Sequence, residues 1–359
     1  MKLFRLLVVM MVPAALMAQE QLAMPGLEEP VEILTDRWGV AHIYAENEHD
    51  LFFAQGYNAA KDRTFQFELW RRQATGTVAE ILGPRELDRD IGTRLQLFRK
   101  DLRRELNHYH PRGELIINAF VDGINAYIAR TEQDPSLLPL EFRLLDIKAG
   151  RWTPADVISR HQGLLSNVTS ELRYGRAVAA IGAEKVKELD WFRPGDPVLE
   201  LDDAIDGALL EQDILHYYEA YRRPIQFIPE DVVAELRNDP QTHQRLAAAA
   251  QPFISTGDGS DAIGSNNWVV SGKLTQTGYP YIVNDPHRVL AAPSLRYFVH
   301  LHAHGWNVIG GGEPVLPGIS IGHNEHGAWG LTVFAIDQED LYVYETDPND
   351  ANRYRYKRG

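Results

Sequence analysis

The hydrophobic period of this chain changes once, and that change constrains its fold more than any other feature. From Asp50 to Gly76 the apolar residues Leu51, Phe52, Ala54, Tyr57, Ala60, Phe65 and Leu69 recur every three or four positions, the spacing of a helix with one buried stripe, and Arg71 and Arg72 sit in its last turns. A second helical region runs from about Asp88 to Glu132, broken by Pro111 and Gly113. A third begins at Thr153, where Thr suits the N-cap, Pro154 the first turn and Asp156 the positive end of the helix dipole, and it is expected to continue past Ser170. Residues 239–264, rich in Ala, Gly, Ser, Asp and Pro, keep no period and read as an exposed linker. Beyond them strand signals dominate: NWVVSG, YPYIVND, RYFVHLHAHGWNVIGG, GISIGHN, AWGLTVF and EDLYVYE. Before the linker, residues 31–45 alternate apolar and polar around a Gly, the pattern of a strand with a bend. A helical run, a linker and a strand run together define an α+β chain.

Composition narrows the chemistry. The 359 residues hold 36 Lys plus Arg against 50 Asp plus Glu, a formal charge of −14, whereas a nucleic-acid binder needs a basic face. There is no cysteine, so disulfides, thiolate zinc sites and a cysteine nucleophile are excluded. Chemistry must come from Ser, Thr, His, carboxylates or a hard metal. Residues 1–18 stand apart: Lys2 and Arg5 precede the uncharged stretch Leu6–Met17, and Ala18 ends it. That order fits a secretory signal peptide, and the apolar run is shorter than the roughly 20 residues of a spanning helix. The competing reading is an N-terminal lipid-facing anchor. The expected location is a bacterial periplasm, with no membrane span in the mature chain.

Four groups of residues could carry chemistry. At the end of the linker Gly264 precedes Ser265. A glycine there allows a strained backbone, and a serine hydroxyl could attack the preceding carbonyl, shift the amide to an ester and be freed as a new N-terminus. The resulting α-amine, with an unperturbed pKa of about 7.7–8.0, would be a base beside its own hydroxyl. On the dipeptide alone, a turn leading into a strand is the commoner explanation. His287, His300, His302, His304, His323 and His326 form a second group, in which His300, His302 and His304 alternate and would share one strand face able to hold zinc, although packing and turn histidines are the more ordinary reading. HNEH, from His323, looks like a hairpin turn. Asp337, Glu339 and Asp340 are hard oxygen donors suited to calcium, or a solvated acidic turn. Gly310, Gly311 and Gly312 lack the following Lys and helix of a phosphate loop.

The residues SNNWVVSGK from Ser265, NDPHR from Asn284, LPGISIGHNEHGAWGLTVFAIDQEDLYVYE from Leu316, DRWGVAHIYA from Asp36, NAAKDRTFQFELWRRQATGTVAEILG from Asn58 and PLEFRLLDIKAGRWTPADV from Pro139 resemble, in order, the penicillin acylase family of N-terminal nucleophile hydrolases. The resemblance implies a four-layer αββα sandwich and a secreted precursor that cuts itself. Its parts would be a signal peptide over residues 1–18, an α-chain-like segment over 19–238, a spacer over 239–264 and a β-chain-like segment from 265 onward. The α and β chains would stay associated after cleavage.

By the same resemblance Ser265 is the nucleophile and the Val333 N–H one of two oxyanion donors. His287 matches a position beside the nucleophile that is His in lactone-signal and cephalosporin acylases and Gln in penicillin G acylases. Glu171, Asp337, Asp340 and the carbonyl of Glu339 match a Ca2+ site joining the two segments. Leu165, Ile321 and Leu331 match an apolar acyl pocket, and Arg288 stands where an aromatic is common, so penicillin specificity does not follow. The second oxyanion donor, an asparagine side chain, has no counterpart up to Gly359. The chain is therefore expected to be truncated within the β-like segment and inactive on its own.

The implied function is hydrolysis of a small-molecule acyl amide. The rivals are a secreted calcium-binding or adhesive β module, which would stay uncut, and a histidine-dependent metallohydrolase, which would respond to chelator and zinc.

Overall fold

The computed structural model describes residues 20–160, 167–190, 195–203, 205–237, 240, 264–287, 292–332 and 338–356. The expected signal peptide and nearly all of the expected spacer lie outside the described residues. No described helix is long and apolar enough to cross a membrane.

The early alternating segment is a hairpin rather than one bent strand. β1 (Glu32–Thr35) and β2 (Ala41–Tyr44) pair antiparallel. The reversal arises at Asp36, whose Oδ1 accepts from Trp38 N at 2.8 Å and Val40 N at 2.9 Å, followed by Gly39 at φ +80°, in the left-handed region that glycine tolerates.

Directly after β2, α1 (Glu48–Thr75) begins at Asn47, whose side chain accepts from Asp50 N, and ends at Gly76, which adopts φ 65°, ψ 52° and returns its N–H to Arg72 O. These bounds lie within two residues of the periodic stretch in the sequence. The second helical region divides into Leu87–Leu95, Leu102–Leu106 and α2 (Gly113–Gln133). The third starts at Thr153 as expected, and there Thr153 and Asp156, the latter expected only to favour the dipole, form a capping box over Pro154–Ser159, with α3 (Val168–Ile181) following.

The strands after residue 264 are β3 (Gly264–Val270), β4 (Tyr281–His287), β5 (Tyr297–Ala303), β6 (Trp306–Gly312), β7 (Ile321–His323), β8 (Ala328–Trp329), β9 (Thr346–Asp347) and β10 (Asp350–Tyr354). They form a six-stranded sheet ordered β1-β2-β5-β6-β7-β8 and two hairpins, β3-β4 and β9-β10. β2 and β5 run parallel, with Ala41 opposite Val299 and Ile43 opposite Leu301. Alternation in β5 is strict: Tyr297, Val299, Leu301 and Ala303 are buried, while Phe298 and His302 are exposed. The buried face joins Ala41 and Ile43 in one apolar core with α1 and α2, in which Phe52 meets Trp306 edge-on at 5.1 Å between ring centroids. Helices on one face of a mixed sheet make the fold α+β.

Three expectations fail, two of them where side chains take backbone groups and one where a strand ends in a turn. Strand AWGLTVF ends at Trp329 as β8, and no strand forms over 338–345, where EDLYVYE predicts one. Side chains take the backbone N–H of Leu331 in the first stretch and those of Gln338, Glu339 and Leu341 in the second. His304 is not on the face of His300 and His302, because β5 ends at Ala303 and the chain turns through His304 and Gly305. HNEH is a hairpin turn as expected, with Asn324 Oδ1 accepting from His326 N and Gly327 N.

α1 and α2 cross at contact distance through two glycines. A Cβ on Gly56 would fall 2.0 Å from Phe120 O, and one on Gly123 would fall 1.9 Å from Phe53 O. The far end of α1 is held by Glu68, buried at 1% exposure, which accepts from Arg71 Nη2 at 2.8 Å, Arg72 Nε at 2.7 Å and Gly150 N at 2.7 Å. Gly123→Ala should force the helices apart and cost about 1–3 kcal/mol, read as a lower midpoint in urea unfolding. Gly207→Ala, where nothing lies within 4 Å, should stay within about 0.5 kcal/mol of the parent.

Candidate active site at the start of β3

Ser265 is the second residue of β3, and pairing with β4 sets what surrounds it. Gly264 lies opposite His287, Ser265 opposite Pro286, Asn266 opposite Asp285 and Asn267 opposite Asn284. Pro286 has no N–H to give across the ladder. The Ser265 carbonyl accepts instead from Thr332 Oγ1 at 3.0 Å, and the same Oγ1 lies 2.7 Å from Ser265 Oγ. A hydroxyl has one proton. With the Thr332 proton on the carbonyl, Ser265 is the donor of the second bond, so its hydroxyl is aimed at Thr332.

Gly264 is not at positive φ, and a Cβ there would meet only His287 Nδ1, at 3.6 Å. The glycine at the expected cleavage point is thus an ordinary ladder residue with the His287 ring beside it. His287 Nε2 lies 3.1 Å from Asp285 Oδ2 and 3.3 Å from Asn266 Nδ2. The Asp285 carboxylate can only accept and the Asn266 amide nitrogen can only donate, so the ring's tautomer selects which of the two Nε2 bonds, while Nδ1 faces Gly264.

The segment after β8 is docked on this hairpin by one side-chain amide. Asn284 Oδ1 accepts from Leu331 N at 3.0 Å, and Asn284 Nδ2 donates to Leu331 O at 2.9 Å. This two-point clamp replaces a ladder partner, which is why the strand pattern of AWGLTVF stops. Gly330 makes the approach possible, since a Cβ on it would fall 2.8 Å from Asn267 Nδ2 and 2.9 Å from Asn284 Cβ. Leu331 is 57% exposed, and Ile321 sits on β7, paired with Gly311. Of the other expected site residues, Leu165, Arg288, Val333 and Asp337 lie outside the described residues.

A second junction joins α3 to residues 338–341. Asn167 Oδ1 accepts from Gln338 N at 3.1 Å and Glu339 N at 3.0 Å, and its Nδ2 donates to Glu339 O at 2.6 Å. Glu171 Oε2, one turn further along α3, accepts from Leu341 N at 3.2 Å. These bonds take the backbone groups that a strand at EDLYVYE would have paired. The Glu339 carboxylate accepts from Tyr218 OH at 2.7 Å, and Asp340 Oδ2 accepts from Tyr342 OH at 3.0 Å. Burial, and then the Glu339 carboxylate, holds the Tyr218 phenol well above its ordinary pKa, so it remains a donor.

Glu171, Glu339 and Asp340 are therefore brought to one junction, as hard oxygens on two elements, the donor chemistry of Ca2+. Their carboxylates do not by themselves gather as three ligands of one ion. The described His, Asp and Glu side chains that do so are Glu28, His49 and Asp50, where Asp50 already accepts from Glu28 N and Glu29 N at 2.9 and 2.8 Å.

Sequence reading missed Thr332, Asn284, Gly330 and Asn167. Asn284, Gly330 and Thr332 lie inside segments that carry the family resemblance, and Asn167 lies ten residues past one, but nothing in their spacing marks a side chain as a substitute ladder partner.

The fold and this site define a serine-bearing member of the α+β class, and comparison with known proteins names the family. A family model for penicillin amidase matches residues 30–359. Penicillin acylase 2 proenzyme of Pseudomonas sp. (strain SE83) is 33% identical over 328 residues, covering 90% of this chain and 38% of that protein. Penicillin G acylase of Escherichia coli is 28% identical over 355 residues, with 89% and 41% covered. Acyl-homoserine lactone acylase QuiP of Pseudomonas aeruginosa is 26% identical over 339 residues, with 92% and 36% covered. The chain belongs to the penicillin amidase family, and it spans about two fifths of the length of these relatives.

If Gly330 is what admits the Asn284 clamp, Gly330→Ala should release it. Hydrogen exchange of the Leu331 amide, read by mass spectrometry, is expected to quicken at least tenfold while the α1–α2 core keeps its protection.

Proposed function

We propose that this chain belongs to an exported acylase that cuts itself before Ser265 and then hydrolyses a linear amide of a small or fatty acyl group. Membership of an amide-hydrolase family supports the reaction class. The observation that carries the residue assignment is the pair of bonds between Thr332 and Ser265, which seat the serine hydroxyl against the residue just before Val333.

In the uncut chain, Ser265 Oγ attacks the Gly264 carbonyl carbon, the C–N bond breaks, and the acyl group moves from nitrogen to oxygen. Water then cleaves the ester, leaving a carboxylate on Gly264 and a free amine on Ser265. In the mature enzyme that amine takes the hydroxyl proton as Oγ attacks the substrate carbonyl. The Val333 N–H meets the oxyanion, and the proton passes to the departing amine. Water hydrolyses the acyl-serine and restores the hydroxyl. His287 stands beside Gly264, where it borders both the scissile bond and the mature N-terminus.

In this reading Leu331, Ile321 and Leu165 would line an apolar acyl pocket, with Arg288 in the position where an aromatic is common. Ca2+ would be held by Glu171, Asp340, Asp337 and the Glu339 carbonyl, tying the helical segment to the strand segment after the cut. The paired bonds of Asn167 and Glu171 to residues 338–341 support that placement. The leader over residues 1–18 would carry the precursor to the periplasm.

In the precursor, Ser265→Ala should remain a single chain, whereas the parent should yield a second chain whose N-terminal sequence begins SNNW. Cutting that survives the substitution, or a different N-terminus, removes the nucleophile assignment. For the metal, added Ca2+ should raise the melting temperature of the mature protein, and Asp340→Ala should abolish that rise with a smaller effect on turnover per folded molecule. Identical melting curves with calcium and with chelator would rule the ion out.

A further inference from the structure

The face of the six-stranded sheet turned away from α1 and α2 carries two imidazoles that the acylase reaction does not use. His42 on β2 and His300 on β5 are direct partners in the parallel ladder, although 258 positions separate them in the chain. Their side chains leave the same face, and their Nδ1 atoms lie 3.1 Å apart. The outer nitrogens both face acceptors: Asp36 Oδ2 lies 3.6 Å from His42 Nε2, an ion-pair separation longer than a hydrogen bond, and Asn307 Oδ1 lies 3.0 Å from His300 Nε2, within hydrogen-bond reach. Both acceptors can only accept, so a proton on each Nε2 would leave two Nδ1 lone pairs facing each other. Two lone pairs at this distance repel unless a positive charge sits between them.

A metal ion matches that gap. Two imidazole nitrogens at about 2.0–2.1 Å from a tetrahedral zinc ion lie about 3.3–3.4 Å apart, close to the separation found. An acceptor on the outer nitrogen of a metal-bound imidazole also fixes its tautomer and orientation, the arrangement that Asp36 and Asn307 provide. Both rings are half-buried and held by neighbours, with His42 edge-on to His300 at 5.2 Å and Tyr44 edge-on to His300 at 5.8 Å between centroids.

We propose that His42 and His300 form a two-imidazole site for a late first-row divalent cation of the zinc type, with water completing its shell. Imidazole prefers such ions to calcium or magnesium. The ion would staple β2 to β5, and so the helical segment to the strand segment, whether or not the chain is cut before Ser265. It replaces the ligand set of His300, His302 and His304 suggested by alternation alone, since His304 leaves the strand and the partner of His300 comes from β2.

The test is calorimetric titration of chelator-treated protein with zinc chloride. One site should weaken at least tenfold in His42→Ala and in His300→Ala, with the double variant no weaker than either single one, while His304→Ala keeps the parent affinity. Circular dichroism checks that the variants fold. A measurement that needs no variant is zinc K-edge absorption of the one-to-one complex, which should show two imidazole nitrogens and the remaining ligands as oxygen. A titration unaffected by His42→Ala, or a zinc shell without paired imidazoles, would overturn the proposal and leave a shared proton as what bridges the rings.

Discussion

The parallel pairing of β2 with β5 is the constraint on which the rest of this molecule depends. A parallel pair cannot be closed by a tight turn and needs a crossover, and here the crossover is everything between Tyr44 and Tyr297. It contains the helical segment, the linker and the β3-β4 hairpin. Because α1 starts within a few residues of β2, it is laid on the sheet face that carries Ala41 and Ile43, and the buried residues of β5 must join that face. The first and second parts of the chain therefore share one core. In the proposed mature enzyme, a cut before Ser265 would separate two chains that had already been packed together by this pairing.

Within that frame, helix packing is decided by backbone and not by side-chain bulk. Gly56 and Gly123 let α1 and α2 touch main chain to main chain, and this closeness leaves no space to relieve an added methyl. The buried Glu68 then organises the end of α1 by drawing in two arginines and the Gly150 N–H. The arginines that a helix-dipole argument would leave pointing to water are the partners of a buried carboxylate.

The candidate site follows another logic, in which side-chain amides stand in for strands. Buried or half-buried backbone groups must find partners, and ladder partners are one solution among several. Asn284 supplies both bonds to Leu331, Asn167 supplies three to Gln338 and Glu339, and Thr332 serves a carbonyl that faces a proline. The Asn284 and Asn167 replacements fall where the alternation would continue a strand, whereas β3 runs on past the Thr332 bond to Val270. The result brings the parts of the chain around residues 265, 284 and 331 to one junction and those around 167 and 339 to a second.

Much of this was legible in the residues themselves. The bounds of α1, the N-cap at Thr153, the turn at HNEH and the switch from helix to strand all rest on interactions a few residues long, so local spacing was sufficient to place them. The motif around Ser265 and the family to which the chain belongs were likewise carried by contiguous segments. Tertiary structure alone decided the pairing of His42 with His300, the clamp from Asn284 to Leu331, the approach permitted by Gly330 and the termination of the strand pattern at EDLYVYE. Those features join residues tens to hundreds of positions apart. Alternation tells which side of a strand a residue takes, but not which strand lies beside it or whether a side chain has taken a neighbour's place, because that choice is made by the packing of the whole chain.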